Sequence, residues 1–208
     1  MATRLAFYAK DNKVYSRVVE FEWMPGLSVA QKKRSIANMH RQLNAKTLEV
    51  STKSETELGR KLSAFTLHLN GVVLENVFQS SKCFAAGGPY KDLLAVSPRE
   101  AKRDERLRSS GALKCFEFNG ETWDLEPKTA FYDYIYVKAV KESLSKDQIQ
   151  EILNYDYFTD IEFNHNKSLN TQARSIAFVK AIVQMFGEIP DMESKEEFLR
   201  LHRLVVKA

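Results

Sequence analysis

The stretch TLHLNGVVLENVFQSSKCFAA, residues 66–86, decides how the rest of the chain is read. Its first half places TLHL and VVLE around Asn70-Gly71. That is a β-hairpin signal, because the tightest hairpin turn needs positive φ at both central residues. Its second half predicts a helix from about Asn76 to Ala86, stopped by Gly87-Gly88-Pro89. The same stretch poses a chemical question. Glu75, Gln79 and Lys82 stand among Leu74, Val77, Phe78, Cys83 and Phe84, and a buried carboxylate or ammonium is costly unless paired or used.

Outward from this stretch the pattern continues. RLAFYA and VYSRVVEFEW form a hairpin across KDNK, and Ser28 caps a helix running to about Asn44. LEVSTKS supplies a short strand and a polar connector. Ser97-Pro98-Arg99-Glu100 opens a helix with a cap, a first-turn proline and a capping box. Asn119-Gly120 turns a third hairpin between LKCFEF and ETWDLE. Pro127 begins a helix containing FYDYIYVKAV, and Ser145 caps DQIQEILNY. YFTDIEF reads as a strand with Asp160 and Glu162 on one side, and NHNKSLN as a loop. Asn170 or Thr171 starts the helix QARSIAFVKAIVQMF, closed by Gly187, and a last amphipathic helix spans about 195–206. Hairpins and helices interleave without a strand–helix–parallel-strand rhythm, which predicts a single mixed α+β domain of helices with short antiparallel hairpins. One domain is expected over residues 1–208, with the hairpin and helix of residues 1–47 as an accessory extension.

The 44% hydrophobic and 28% charged content is ordinary for a soluble globular protein. No apolar run reaches membrane-span length, so no membrane partner is expected. The N-terminal MATRLAFYAKDNK meets charge too early for a signal-peptide core. Cys83 and Cys115 lack a CxxC or Cys/His cluster and read as buried, reduced thiols, which fits a cytoplasmic protein. The four histidines are scattered. No metal or redox cofactor is expected. A net charge of +4 is a weak pointer to a phosphate-bearing partner.

At about 100° per residue, Glu75, Phe78, Gln79, Lys82 and Ala86 share one helix face. On an arbitrary amphipathic helix such a Glu and Lys are most often solvated. Resemblance changes that weighting. ENVFQSSK resembles the signature E-H-Y-F-Q-A-Q-K of the NADAR family, with Glu75, Phe78, Gln79 and Lys82 identical and Asn76, Val77, Ser80 and Ser81 different. LSAF resembles the family's L-S-N-F, keeping Ser63 and Phe65 but carrying Ala64. SPREAKR resembles the family's basic helix. YFTDIEF and SLNTQAR are similar to its C-terminal segment, with Asp160 and Asn170 at matching polar positions, although Ile161-Glu162 replaces a common Trp-Gly pair. The resemblance covers roughly residues 48–185. FQSSK, GGPY, SPREAKRD, EPKT and TDIEFN together resemble the subfamily encoded beside DarT-type ADP-ribosyltransferase toxins. That implies a NADAR-like fold and an antitoxin that removes ADP-ribose from guanine bases in DNA by breaking the N-glycosidic bond. The implied partners are ADP-ribosylated DNA as substrate, ADP-ribose as product and a cognate toxin.

Such a reaction develops positive charge at the anomeric carbon and needs a proton for the departing nitrogen. Glu75 and Asp160 are the candidate carboxylates. Lys82 is the candidate nucleophile, giving a Schiff base on the ring-opened sugar if desolvation beside Phe78 lowers its pKa. A carboxylate-activated water is the other route, and the lysine route is preferred. Six basic residues against three acidic between Arg99 and Lys114 make Arg99, Lys102 and Arg103, with Arg106, a stripe for the diphosphate. Such stripes are more often solvated faces. Phe65 or Tyr90 could stack on a base, Glu162 could face the cleft beside Asp160, and Asn170 could hold a ribose hydroxyl or simply cap a helix. Ser63, Phe78 and Gln79 complete the binding set implied by the motifs. Two other readings stand: an N-glycosidase on small ribosylamino-pyrimidine intermediates, and a non-catalytic antitoxin that masks the toxin or its DNA.

Overall fold

The computed structural model describes residues 1–26, 28–165, 169–192 and 194–206. Turn chemistry sets its first hairpin: Asp11 and Asn12, at φ 50° and 58°, close β1 (Ala2–Lys10) onto β2 (Lys13–Phe21). Helix α1 (Val29–Leu43) starts at a reciprocal Ser28–Gln31 capping box and ends with Asn44 in the left-handed region. It covers the hairpin by burying Ile36, Met39 and Leu43 against Ala6, Val19 and Phe21. A short β3 (Thr47–Glu49) and α2 (Glu57–Lys61) follow.

The segment 64–143 forms a compact unit of its own. Asn70 and Gly71, at φ 53° and 74°, turn β4 (His68–Leu69) into β5 (Val72–Val73), which runs directly into α3 (Leu74–Ser80). All seven α3 residues are buried. The predicted helix to Ala86 is therefore too long. The hydroxyls of Ser80 and Ser81 bond back to the Val77 carbonyl at 3.1 and 2.7 Å, competing with helix continuation. The chain instead enters β6 (Lys82–Phe84), with a 3₁₀ turn at Lys91–Leu94 beyond it. Two short helices come next, α4 (Pro98–Arg103) and α5 (Arg106–Ser109). The predicted single basic helix breaks between them, because Asp104 adopts ψ 128° and its carboxylate accepts the Arg106 N–H at 2.9 Å. β7 (Leu113–Phe118) and β8 (Glu121–Trp123) form the Asn119-Gly120 hairpin, and β6 joins them antiparallel with Lys82 opposite Phe116. Helix α6 (Ala130–Ser143) starts three residues after the predicted Pro127 and buries Phe131, Tyr132, Tyr134 and Tyr136.

The chain then returns to the unit made by residues 1–63 and 144–208. It adds α7 (Lys146–Glu151), β9 (Tyr157–Thr159), α8 (Gln172–Phe186) and α9 (Lys195–Val205). The sheet runs β2-β1-β9-β3, with β9 parallel to β3 and antiparallel to β1. The hairpin of residues 2–21 thus supplies two of the four strands. The predicted strand 157–163 is shorter than expected. It ends at Thr159, and Asp160 starts a turn in which its Oδ1 accepts the Glu162 N–H at 3.1 Å. The middle of the predicted loop 164–170, residues 166–168, lies outside the described residues, as does Leu27. The fold is mixed α+β with small, mostly antiparallel sheets. Among the described residues no helix is long and apolar enough to cross a membrane.

Candidate active site

Two buried polar clusters hold most of the predicted site residues. The first lies within residues 64–143. The Ala64 carbonyl accepts the Glu75 N–H at 3.0 Å, fixing the start of α3. The Glu75 side chain is 6% exposed. Its Oε1 accepts from Gln79 Nε2 at 2.9 Å, a contact between residues four apart on a helix. The other end of that amide, Gln79 Oε1, accepts from Lys82 Nζ at 2.7 Å. Lys102 Nζ reaches Glu75 Oε1 from outside at 3.6 Å. Charge therefore alternates along Lys102, Glu75, Gln79 and Lys82, with an amide between the carboxylate and the second amine.

Lys82 lies on β6, beyond the end of α3, so the predicted shared helix face does not exist. The strand still brings its amine to the helix, with Nζ 4.6 Å from the Phe78 ring centroid. That ring is fixed by Phe116, stacked at 5.6 Å, and by the edge of Tyr132 at 4.8 Å. Burial pushes the Lys82 amine down to about 8. Glu75 opposes the shift and the Lys102 charge adds to it. Gly88 packs on the backbone of Lys82: a Cβ on it, at φ 84°, would stand 2.4 Å from the Lys82 carbonyl oxygen. Only glycine accommodates both that approach and that φ.

Neighbouring residues divide. Phe65 is half-buried, with Lys102 Nζ 4.9 Å from its ring centroid. Arg99 and Arg103 are exposed on α4 beside Lys102. Arg106 does not extend that stripe, because its guanidinium is clamped by Asp92 at 2.6 Å and Asp104 at 2.9 Å and lies over the Tyr90 ring. Tyr90 is occupied by Ser110, to which its hydroxyl is bonded. Asn76, one of the departures from the signature, donates to the Leu93 and Val96 carbonyls at 2.7 and 2.8 Å, tying α3 to the loop before α4.

The second cluster lies in the unit formed by residues 1–63 and 144–208. Asp160 is 8% exposed, and its Oδ2 accepts from the Thr171 hydroxyl at 3.4 Å. Glu162 is not beside it. It is exposed and paired with Lys32 at 3.3 Å and Lys53 at 3.9 Å, because the turn at Asp160 ends the strand alternation. Ser63 is buried just past α2, and Asn170 is half-buried next to Thr171, the N-cap of α8. The sequence reading missed Glu49. It is 3% exposed and accepts from Ser51 at 2.8 Å, Thr159 at 2.7 Å and the Ile161 N–H at 3.0 Å. Its one sequence signal is an acid placed directly after the strand residues Thr47 and Leu48.

Cys83 and Cys115 are half-buried free thiols opposite each other on β6 and β7. Among the described residues no group of His, Cys, Asp and Glu side chains has the grouping of a metal site.

The model of a family described as the DarT1-associated NADAR antitoxin, NADAR-DarT1, matches residues 2–207. That extends the resemblance read from the motifs to nearly the whole chain, the first hairpin included. No curated protein matches the chain.

Proposed function

The chain belongs to the DarT1-associated NADAR antitoxin family, and from that premise we propose that it is an N-glycosidase that removes ADP-ribose from guanine in DNA. The observation that carries this reading is the Lys82 amine. It is held by an amide carbonyl at 2.7 Å and pushed down to about 8, so much of it is neutral slightly above neutral pH.

In the proposed reaction the neutral Lys82 amine attacks the anomeric carbon, forming a C–N bond. The bond from that carbon to the guanine nitrogen breaks, and its electron pair and a proton leave with guanine. The bond from the anomeric carbon to the ring oxygen then breaks, and the ring oxygen takes the remaining lysine proton. The resulting Schiff base of the ring-opened ribose is hydrolysed by water, whose oxygen stays on the anomeric carbon, to ADP-ribose and free amine. Glu75, held by Gln79 and Lys102, provides a fixed negative charge for the cationic intermediates. Exposed Arg99 and Arg103 contact the diphosphate or the DNA strand. Asp160 is assigned as a reacting carboxylate by its place in the family motif.

Incubation with DNA carrying ADP-ribosylated guanine tests the reading. Release of many ADP-ribose molecules per protein chain is expected. Stoichiometric protection without release would replace the enzyme by a masking antitoxin, and cleavage confined to small pyrimidine ribosides would replace the substrate.

A further inference from the structure

Glu49 has no part in the reaction just described, yet it is the most completely enclosed carboxyl group of its unit among the described residues. It stands at the end of β3, directly opposite Thr159 in the parallel ladder with β9. Parallel neighbours present side chains on the same face, so Glu49 and Thr159 meet over the sheet. The carboxyl group then spans Asp160: one oxygen bonds the residue before it, Thr159, and the other bonds the backbone of the residue after it, Ile161. The Val50 N–H adds a ladder bond to the Thr159 carbonyl at 2.7 Å. Asp160 is thereby placed by two anchors on either side, while Glu162 N–H and Thr171 hold its own oxygens.

We propose that Glu49 is the positioning residue of Asp160, a buried carboxyl group that carries a proton and so leaves the negative charge of the pair on Asp160. This rests on the reading of Asp160 as a reacting carboxylate. The hydrogen-bond chain accommodates the proton. Ser51 and Ile161 both donate to Glu49 Oε1. The Thr159 hydroxyl donates to an ionised Oε2 at 2.7 Å, and a proton on Oε2 reverses that contact, so that Glu49 donates to Thr159. The Thr159 hydroxyl then donates to Nε2 of His40, 2.8 Å away. His40 suits that acceptor role because burial lowers it to about 4, which keeps the ring neutral. Glu49 makes no contact with a cation among the described residues, whereas Lys53 and Lys32 are engaged with Glu162. The nearby Asp160 carboxylate disfavours a second negative charge on Glu49. Burial first, and then the Asp160 charge, push Glu49 up to about 8.

The test is a ¹³C-carboxyl NMR titration of the full chain, combined with kinetics of Glu49→Gln and Glu49→Ala on ADP-ribosylated guanine DNA. Glu49 is expected to be protonated at pH 7, and Asp160→Asn is expected to lower its midpoint. Glu49→Gln keeps the neutral hydrogen bonds and is expected to retain the wild-type kcat at pH 7 and to lose the alkaline fall in rate above about 8. Glu49→Ala is expected to lower kcat on the order of ten- to a hundredfold with KM little changed, as misplacement of a reacting group does. Ionised Glu49 at pH 6, or Glu49→Gln as damaging as Glu49→Ala, overturns the proposal. The titration and the Gln variant do not depend on whether Glu49→Ala folds. If the wild-type protein releases no ADP-ribose, the glycosidase reading fails by itself, and the titration still judges Glu49.

Discussion

Around Lys82 a cation, an anion, an amide and a second cation alternate within one short helix, one strand and α4. Around Glu49 two carboxyl groups meet hydroxyls and a neutral imidazole instead. Both clusters are withdrawn from water, and in both the charged form of one member is penalised. The outcomes are opposite. In the first cluster the Lys102–Glu75 pair absorbs the negative charge, and the Gln79 amide keeps Glu75 from binding the Lys82 amine directly. The amine can then lose its proton. In the second cluster no cation reaches Glu49 among the described residues, so the carboxyl group keeps its proton. Desolvation alone has one rule, that it disfavours charge. What it makes of a side chain depends on whether the neutral form is a base or an acid. Burial thus favours the neutral amine of the lysine and the neutral acid of the glutamic acid.

The comparison breaks most plainly at Lys82. Lys82→Ala should reduce turnover by at least about a thousandfold and abolish any borohydride-trapped protein–sugar adduct, since the proposed reaction takes its attacking amine from Lys82. Full activity without trapping would transfer the chemistry to a carboxylate-activated water. Gly88→Ala should come next. It combines a positive φ with a Cβ 2.4 Å from the Lys82 carbonyl, so we expect a loss of about 2 kcal/mol in denaturant unfolding together with displacement of the amine. An unchanged unfolding midpoint would mean that the glycine loop does not set the strand.

Smaller changes sharpen the contrast. Lys102→Met removes a charge that lowers the Lys82 pKa and leaves Glu75 without its ion pair. The Lys82 midpoint should therefore rise from about 8 towards 10.5. Mass-spectrometric acylation of Lys82 against pH reads this directly, and an unmoved midpoint would dismiss Lys102 as an electrostatic neighbour.

Stability should move least, with opposite signs. The folded Lys82 amine titrates below its ordinary value, so its contribution is complete above 10.5 and is lost as pH falls through about 8. Glu49 titrates above its ordinary value, so its contribution is complete below 4.5 and is lost as pH rises through about 8. His40, lowered to about 4 from 6.5, works against Glu49 between those two values, which leaves pH 6.5–8 as the window in which Glu49 is read. Across that window the melting temperature of the wild type should fall relative to Glu49→Gln by roughly 2–4 °C for each ~1 kcal/mol. Parallel curves would refute the buried proton.

Much of this was legible from residue order alone. Asn70-Gly71 and Asn119-Gly120 announce their hairpins because left-handed φ is a local property of Asn and Gly. Ser28, Ser97 and Ser145 announce helix starts because a cap bond reaches only three residues. Glu75, Phe78, Gln79 and Lys82 stand out as a set by resemblance to the NADAR signature, and the match over residues 2–207 bears out the family. The helix that was to carry all four stops at Ser80, because the hydroxyls of Ser80 and Ser81 compete locally while β7 offers Lys82 a ladder partner from more than thirty residues away. Arg106 looked like part of a basic stripe, since periodicity cannot see that Asp92 and Asp104 close on it.

The sequence by itself determined which short segments turn, which are capped as helices, and that an acid, an amide and an amine occur together. Only the tertiary structure decided that the amine comes from a strand, that Lys102 pairs with Glu75, and that Glu49 meets a backbone N–H 112 residues further along the chain. The physical reason is that φ preferences and caps act over a few residues. Desolvation and ion pairing depend on what packing brings together, and no local pattern encodes that.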